Sequence, residues 1–281
     1  SLYMRLDDSL KAPPQIQKMV EDLESSWVTP GGEEIEDVIS LFRHRRHIVL
    51  GFYMEWDWPS DTPDYVWLKA RGEWHSNVRR VLTRSVEGRD SPLLVANYAQ
   101  DPTCRDTELI RAWESWDAVR GRSAPPTRTI WVDSYLVDYL MEKALNSKDP
   151  VIIWTQHLAI QEALSRRGIL AFGAGDAPED EKVAKTCVMS IPAHGTGKNL
   201  QLWSHNMLAD FPSNGATLVQ LLGRTHRPGQ ESDSVYVDFC LPHGSVEEDV
   251  HKALEVCRYI EDTQGVTTNL NAATWIFSCD T

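Results

Sequence analysis

At 281 residues, 42% hydrophobic and 25% charged, the chain has ordinary globular proportions and enough length for one large or two modest domains, each with its own core. A net charge of -13, spread evenly along the chain, excludes a broad basic field that would bind nucleic acid unaided, so any such contact must be local or shared with another domain. Cys104, Cys187, Cys240, Cys257 and Cys279 show no C-x-x-C pair and no His partner at ligand spacing, which predicts reduced thiols in a cytoplasmic protein and no metal site, and the chain has neither an 18-residue apolar run nor a secretory leader pattern.

The first half, residues 1–128, reads as a mainly helical segment rich in the chain's 11 tryptophans. Ser1-Leu2, without an initiator Met, reads as an expression scar on a fragment of something longer. Ile16, Met19, Val20 and Leu23 fall at helical spacing between Pro14 and Trp27, and Thr29-Pro30-Gly31-Gly32 breaks the run. A second helix is predicted over Glu33–Phe42, leading into the basic cluster Arg43-His44-Arg45-Arg46-His47. That cluster is either a solvated helix face or a phosphate contact. Trp67, Ala70, Trp74, Val78 and Val81 form one apolar stripe of a long helix over Asp64–Leu82, and such a stripe serves a core more often than base stacking. Glu108–Val119 predicts a further helix, and Ser123-Ala-Pro125-Pro126-Thr a linker.

From residue 129 to 281 the pattern changes. Thr129–Val132 predicts a short strand and Ser134–Leu145 a helix. Val151–Trp154 and Ile169–Phe172 read as strands buried on both faces, separated by a helix that Gly168 closes. Thr186–Ile191, Asn206–Ala209 and Ser234–Cys240 complete about five strands alternating with helices, which predicts a parallel α/β sheet. Asn199–Trp203 is expected to open a helix, and Ser245-Val-Glu-Glu248 has the form of a capping box for one running to about Tyr259.

Three segments carry chemistry. Gln220-Leu-Leu-Gly-Arg224-Thr-His226-Arg227-Pro-Gly-Gln230 sets two arginines three apart, and two such guanidinium forks can grip the oxygens of a transferring phosphoryl group. Ser190-Ile-Pro-Ala-His194-Gly195-Thr196-Gly197-Lys198-Asn199-Leu200 follows a predicted strand, and its glycines let backbone amides approach an anion. Its Gly195-Thr-Gly197-Lys198 does not complete G-x-x-x-x-G-K-[ST], because Pro192 occupies the first glycine position and Asn199 the Ser/Thr position. No acidic pair at the end of an apolar strand reads as a magnesium site. Trp154-Thr155-Gln156-His157 ends the first strand with hydroxyl and amide groups that suit phosphate oxygens.

The first of these segments resembles motif VI of superfamily-two helicases, and within them Swi/Snf-type DNA-dependent ATPases, meeting every defined position of Q-x-x-x-R-x-H-R-x-G-Q. The second is similar to motif V, with His194 in place of the first of two glycines and Pro192 a further departure. Trp154–His157 resembles motif IV, Phe172-Gly173-Ala-Gly175 stands where motif IVa would, and Val235–Glu248 is similar to the strand, turn and helix that follow motif VI. The Trp67–Leu82 pattern is similar to phage-encoded members of the group.

The resemblance covers about residues 150 to 260 and implies a RecA-like parallel sheet flanked by helices, forming the second motor lobe of a DNA-dependent ATPase. It implies Arg227 as the arginine finger, and Arg224 as a second phosphate contact or as the tie between motifs VI and V. Gln220, Gly195, Gly197 and Gln230 would lie near ATP, and Thr155, Gln156, Thr196, Lys198 and Asn199 near DNA. ATP and Mg would be bound mainly by an N-terminal motor lobe absent from this chain, which alone is expected to be inactive. The other readings are a non-catalytic RecA-like adaptor and a self-sufficient P-loop kinase, the latter resting only on the incomplete Gly195–Lys198 match.

Overall fold

A computed structural model describes every residue except 7–9, 85–87, 123, 213–214, 243–246, 266 and 278–281. The chain divides into two compact units, one of residues 1–12 with 134–281 and one of residues 13–133. The first unit is therefore discontinuous, with the second inserted between its first strand and the rest. This differs from an expected division between 128 and 129.

In chain order, β1 (Leu2–Leu6) opens the sheet-bearing unit. The inserted unit follows, with α1 (Pro14–Ser26), α2 (Val38–Val49), β2 (Phe52–Trp56), α3 (Tyr65–Leu82), α4 (Pro92–Gln100), α5 (Thr107–Asp117) and β3 (Thr127–Trp131). The chain then returns to the first unit through α6 (Tyr135–Asn146), β4 (Val151–Thr155), α7 (Leu158–Arg166), β5 (Leu170–Phe172), β6 (Cys187–Ser190), α8 (Ile191–His194), β7 (His205–Leu208), α9 (Gly215–Thr225), β8 (Val235–Phe239), α10 (Glu247–Gln264), α11 (Asn269–Ala272) and β9 (Thr274–Phe277).

In the inserted unit, local sequence explains most of the helices. Pro14 suits the first turn of α1, and Trp27 ends it in a left-handed conformation, φ 57°, with its N–H on the Leu23 carbonyl. The carboxylates of Asp37, Asp64 and Asp106 and the Ser91 hydroxyl accept from free amides at the starts of α2, α3, α5 and α4. The apolar stripe of α3 is buried as its spacing predicts. Trp74, Val78 and Val81 pack with Val95, Ala99, Leu109 and Ala112 of α4 and α5, while Trp67 and Ala70 join Val119. The second helix begins at Val38 rather than Glu33, so the basic cluster lies inside α2, where Arg45 pairs with Glu24. β3 pairs antiparallel with β2, so the predicted strand near Thr129 belongs to the inserted unit and not to the parallel sheet. Gly51 precedes β2 at φ +95°, and a Cβ there would sit 2.2 Å from the Asp133 carbonyl oxygen.

The sheet-bearing unit holds seven strands in the order β5-β6-β4-β7-β8-β1-β9, every neighbouring pair parallel. Helices flank it, and the architecture is that of a RecA-like lobe. All five residues of β4 are buried, as a continuous apolar run requires when both faces are covered. Inside, the Trp154 indole N–H donates to Asn206 Oδ1 (3.0 Å), and Asn206 Nδ2 donates to Thr225 Oγ1 (3.0 Å), fastening β4, β7 and α9 together.

Several finer expectations are corrected. β5 is an edge strand with Leu170 38% exposed, so it is not buried on both faces. Asn199–Trp203 opens no helix, because the chain turns there directly into β7. α10 runs past Tyr259 to Gln264. The capping box at Ser245–Glu248 and the linker residue Ser123 lie outside the described residues.

Candidate functional site

In a sheet whose strands all run one way, the segments leaving β4, β5, β6 and β7 emerge at the same end. They are knitted together by short polar contacts. Gln156 Nε2 donates to Asp210 Oδ2 and to the Phe211 carbonyl, both at 2.9 Å, and His157 Nε2 lies 3.1 Å from Asp210 Oδ2. Thr155, 1% exposed, accepts at its hydroxyl from the His157 N–H (3.0 Å). These groups brace the end of β4, and a DNA contact through the Thr155 hydroxyl is corrected, since the side chain is enclosed.

His194 occupies a motif V position where a glycine was expected, and the fold gives it a structural use. Its Nε2 lies 2.8 Å from the Gly173 carbonyl, so the ring spans from α8 to the Gly173–Gly175 turn. The ring is 1% exposed. Gly195 follows with its N–H on the Ile191 carbonyl (2.8 Å), where a Cβ would come within 2.6 Å of that oxygen. Close packing therefore requires this glycine, independently of any ligand. Gly197, exposed at φ +77°, needs glycine for its backbone conformation, and nothing lies within 4 Å of where a Cβ would be.

Beyond Gly195 the chain runs back toward β7 and meets the end of α9. The Leu200 N–H donates to the Arg224 carbonyl (3.1 Å), Arg224 Nη1 donates to the Lys198 carbonyl (3.4 Å), and Gln201 Nε2 donates to the Pro228 carbonyl. Gln230 completes the lacing. Its Nε2 donates to the carbonyls of Trp203 (3.0 Å) and Thr225 (2.9 Å), and its Oε1 accepts from the Ser232 N–H (3.0 Å). The two segments singled out from sequence are thus physically one assembly. It sits beside the residues entering β7.

The two arginines differ. Arg224 is half-buried and also donates from Nε to the Gln220 carbonyl (3.1 Å), so backbone oxygens engage both Nε and Nη1 of its guanidinium. Arg227 is exposed, and among the described residues its side chain has no hydrogen-bond or ion-pair partner. Gln220, Thr196 and Asn199 are exposed as well. Lys198 is held by Glu179, Nζ to Oε1 2.6 Å, and that bond keeps the Glu179 carboxyl below its ordinary value.

No family model matches the chain. It is 32% identical over 146 residues to the uncharacterized ATP-dependent helicase YqhH of Bacillus subtilis (strain 168), a match taking in 43% of this chain and 26% of that protein. Among solved structures, the C-terminal part of the Fun30 ATPase domain matches with TM-score 0.43 and 12% identity over 89% of this chain and 88% of its own. Domain 2 of the DEAD-box helicase Mss116p, bound to an RNA duplex, matches with TM-score 0.32 and 16% identity over 52% and 58%. In sequence, the likeness is to part of an ATP-dependent helicase. The chain spans about a quarter of the length of the curated relative it matches.

One contribution was not visible in the motifs. Asp210, with a side chain 2% exposed, anchors both Gln156 and His157, and its position directly after a strand was the available signal. Arg5 was missed altogether. It pairs with Asp238, which also lies 2.8 Å from His205 Nε2, and so ties β1 to β8 and β7.

Proposed function

We propose that this chain is the second motor lobe of a Swi/Snf-type DNA-dependent ATPase, phage-like in character, which couples ATP hydrolysis to movement on DNA. The observation carrying this reading is that Arg224 ties the motif VI turn to the motif V loop while Arg227, three residues on, is exposed and, among the described residues, unpartnered. Rigid support beneath a free guanidinium is what charge stabilisation at a phosphoryl group needs, because a preorganised donor does not have to reorient during reaction. Arg227 is the finger and Arg224 its brace. ATP and Mg would be held mainly by a first lobe of the same parent protein, and the chain alone would turn over little ATP. Thr196, Lys198 and Asn199 would face the DNA backbone, Lys198 after release from Glu179.

A reconstituted enzyme tests this. With the first lobe supplied, Arg227→Ala should lower DNA-stimulated ATPase by about tenfold or more, within the range that arginine fingers contribute. Unchanged activity would sink the motor reading and favour a non-catalytic adaptor, a reading that the inward-facing Thr155 and Gln156 support.

A further inference from the structure

The inserted unit contains a cavity of about 610 Å³, within the size range of small-ligand and side-chain pockets. Aromatic and acidic groups dominate its wall. The indoles of Trp56 and Trp58 lie edge-on to Trp67, with centroids 5.5 and 5.9 Å away, so their orientation is fixed by packing. Four carboxylates line it, those of Glu33, Glu34, Glu55 and Asp61, against two guanidinium groups, Arg71 and Arg128.

The internal cations show what this wall recognises. Arg71 sits 5.3 Å from the Trp56 ring centre and 5.6 Å from that of Trp67, and its Nη1 contacts Glu33 Oε2 at 2.6 Å. Arg128 holds Glu55 at 3.1 Å. With those pairs made, Glu34 and Asp61 are the remaining lining acids. Glu34 is drawn to Arg79 at 3.0 Å, and Asp61, its side chain 88% exposed, comes no nearer than 3.9 Å to Arg128. Asp61 also holds φ +51°, a conformation that few residues other than glycine adopt. Burial lifts the Glu33 carboxyl above its ordinary value even with Arg71 beside it, and the Glu55 charge lifts it further, as expected where negative charge is in excess.

The geometry points to a binding site for an organic cation, a guanidinium or ammonium group that enters between the Trp56–Trp58 wall and the Asp61 rim. Stacking on an indole and a charge-assisted bond to a carboxylate both favour such a group, while the surplus of acids repels anions. The cation could come from a basic side chain of a protein or from a free polyamine. This site is independent of the ATPase assignment.

Tryptophan fluorescence and calorimetric titration of the full chain would test it, using a blocked pentapeptide with one central arginine, the same peptide with citrulline, and spermidine. Saturable binding of the arginine peptide, about tenfold tighter than its citrulline counterpart, is expected, and Asp61→Asn, which removes the charge but suits the same positive-φ backbone, should weaken it about tenfold without moving the melting temperature. Glu162→Gln, a surface change in the other unit, should leave it unaltered. Spermidine binding with the same Asp61 dependence supports the site and identifies a free amine as a source, whereas binding by the peptide alone identifies a protein side chain. No binding by either at millimolar concentration, equal binding of the citrulline peptide, or equal losses in the two variants would overturn the proposal.

Discussion

Arg224 and Arg227 stand in one motif, yet one is anchored and the other is free, and that difference can be measured as stability before any activity is assayed. Arg224→Ala removes bonds to the Gln220 and Lys198 carbonyls, and Gln230→Ala removes bonds to the Trp203 and Thr225 carbonyls and to the Ser232 amide. Each should destabilise the sheet-bearing unit by about 1–3 kcal/mol, because the stranded backbone groups lose their partners. Arg227→Ala, at an exposed side chain without partners among the described residues, should stay within about 0.5 kcal/mol. Chemical denaturation of the three variants checks this, and equal losses at both arginines would remove the finger-and-brace distinction. The Arg-x-x-Arg spacing was legible in the sequence, but the division of labour was not, because it depends on Lys198 approaching from 26 residues away. Gln230 likewise looked like a ligand-facing amide until its three internal partners were on view.

At the scale of elements, helices were the readable part. The α3 stripe follows from spacing alone, and Trp74, 4% exposed against Trp113 at 5.1 Å, is its largest contributor to the α4–α5 core. Trp74→Ala should cost about 3–5 kcal/mol, the usual range for emptying a buried aromatic site, and a melt followed by near-UV dichroism would show it. On the same helix, burial and the nearby Arg71 charge hold the His75 imidazole down at about 4, with Nδ1 3.1 Å from the Glu34 carbonyl and Nε2 3.3 Å from Glu36. An unfolded chain takes up this proton near pH 6.5 and the folded one only near 4, so stability falls as pH drops through that window, by a total on the order of 3 kcal/mol. Glu33 and Glu36, both lifted by burial, gain protons toward the acid end and offset part of the loss. Burial and the Arg43 and Arg71 charges hold the His44 imidazole down at about 4 as well. His75→Gln should therefore remove about half of the histidine-linked slope between pH 6.5 and 4, and an unaltered slope would count against this assignment. Strands were less legible where pairing is remote. Leu2, Met4 and Leu6 alternate as a half-buried strand should, but β1 finds its partner more than 230 residues away, and no local pattern signals that.

The same remoteness governs the whole molecule. A change in composition near residue 128 suggested two consecutive domains, whereas pairing of β1 with both β8 and β9 makes the helical unit an insertion into a sheet that is already started. Its entrance and exit lie together, since Gln15 Nε2 donates to Asp133 Oδ2 at 2.7 Å and to the Val132 carbonyl at 3.4 Å. Adjacent ends are the condition under which an inserted unit can be removed without stretching its host. Replacing residues 13–133 by a short Gly/Ser linker should therefore leave a cooperatively folding sheet, with the amides of β8 protected from hydrogen exchange. A chain beginning at Ser134 lacks β1, which leaves β9 without its pairing partner and exposes an edge of β8 that is normally covered, and it should melt earlier or fail to fold. Comparing the two by thermal melt and by exchange at Val235–Phe239 decides the matter. If the chain beginning at Ser134 is as stable as the linked one, β1 is dispensable and the sheet-bearing unit is contiguous after all.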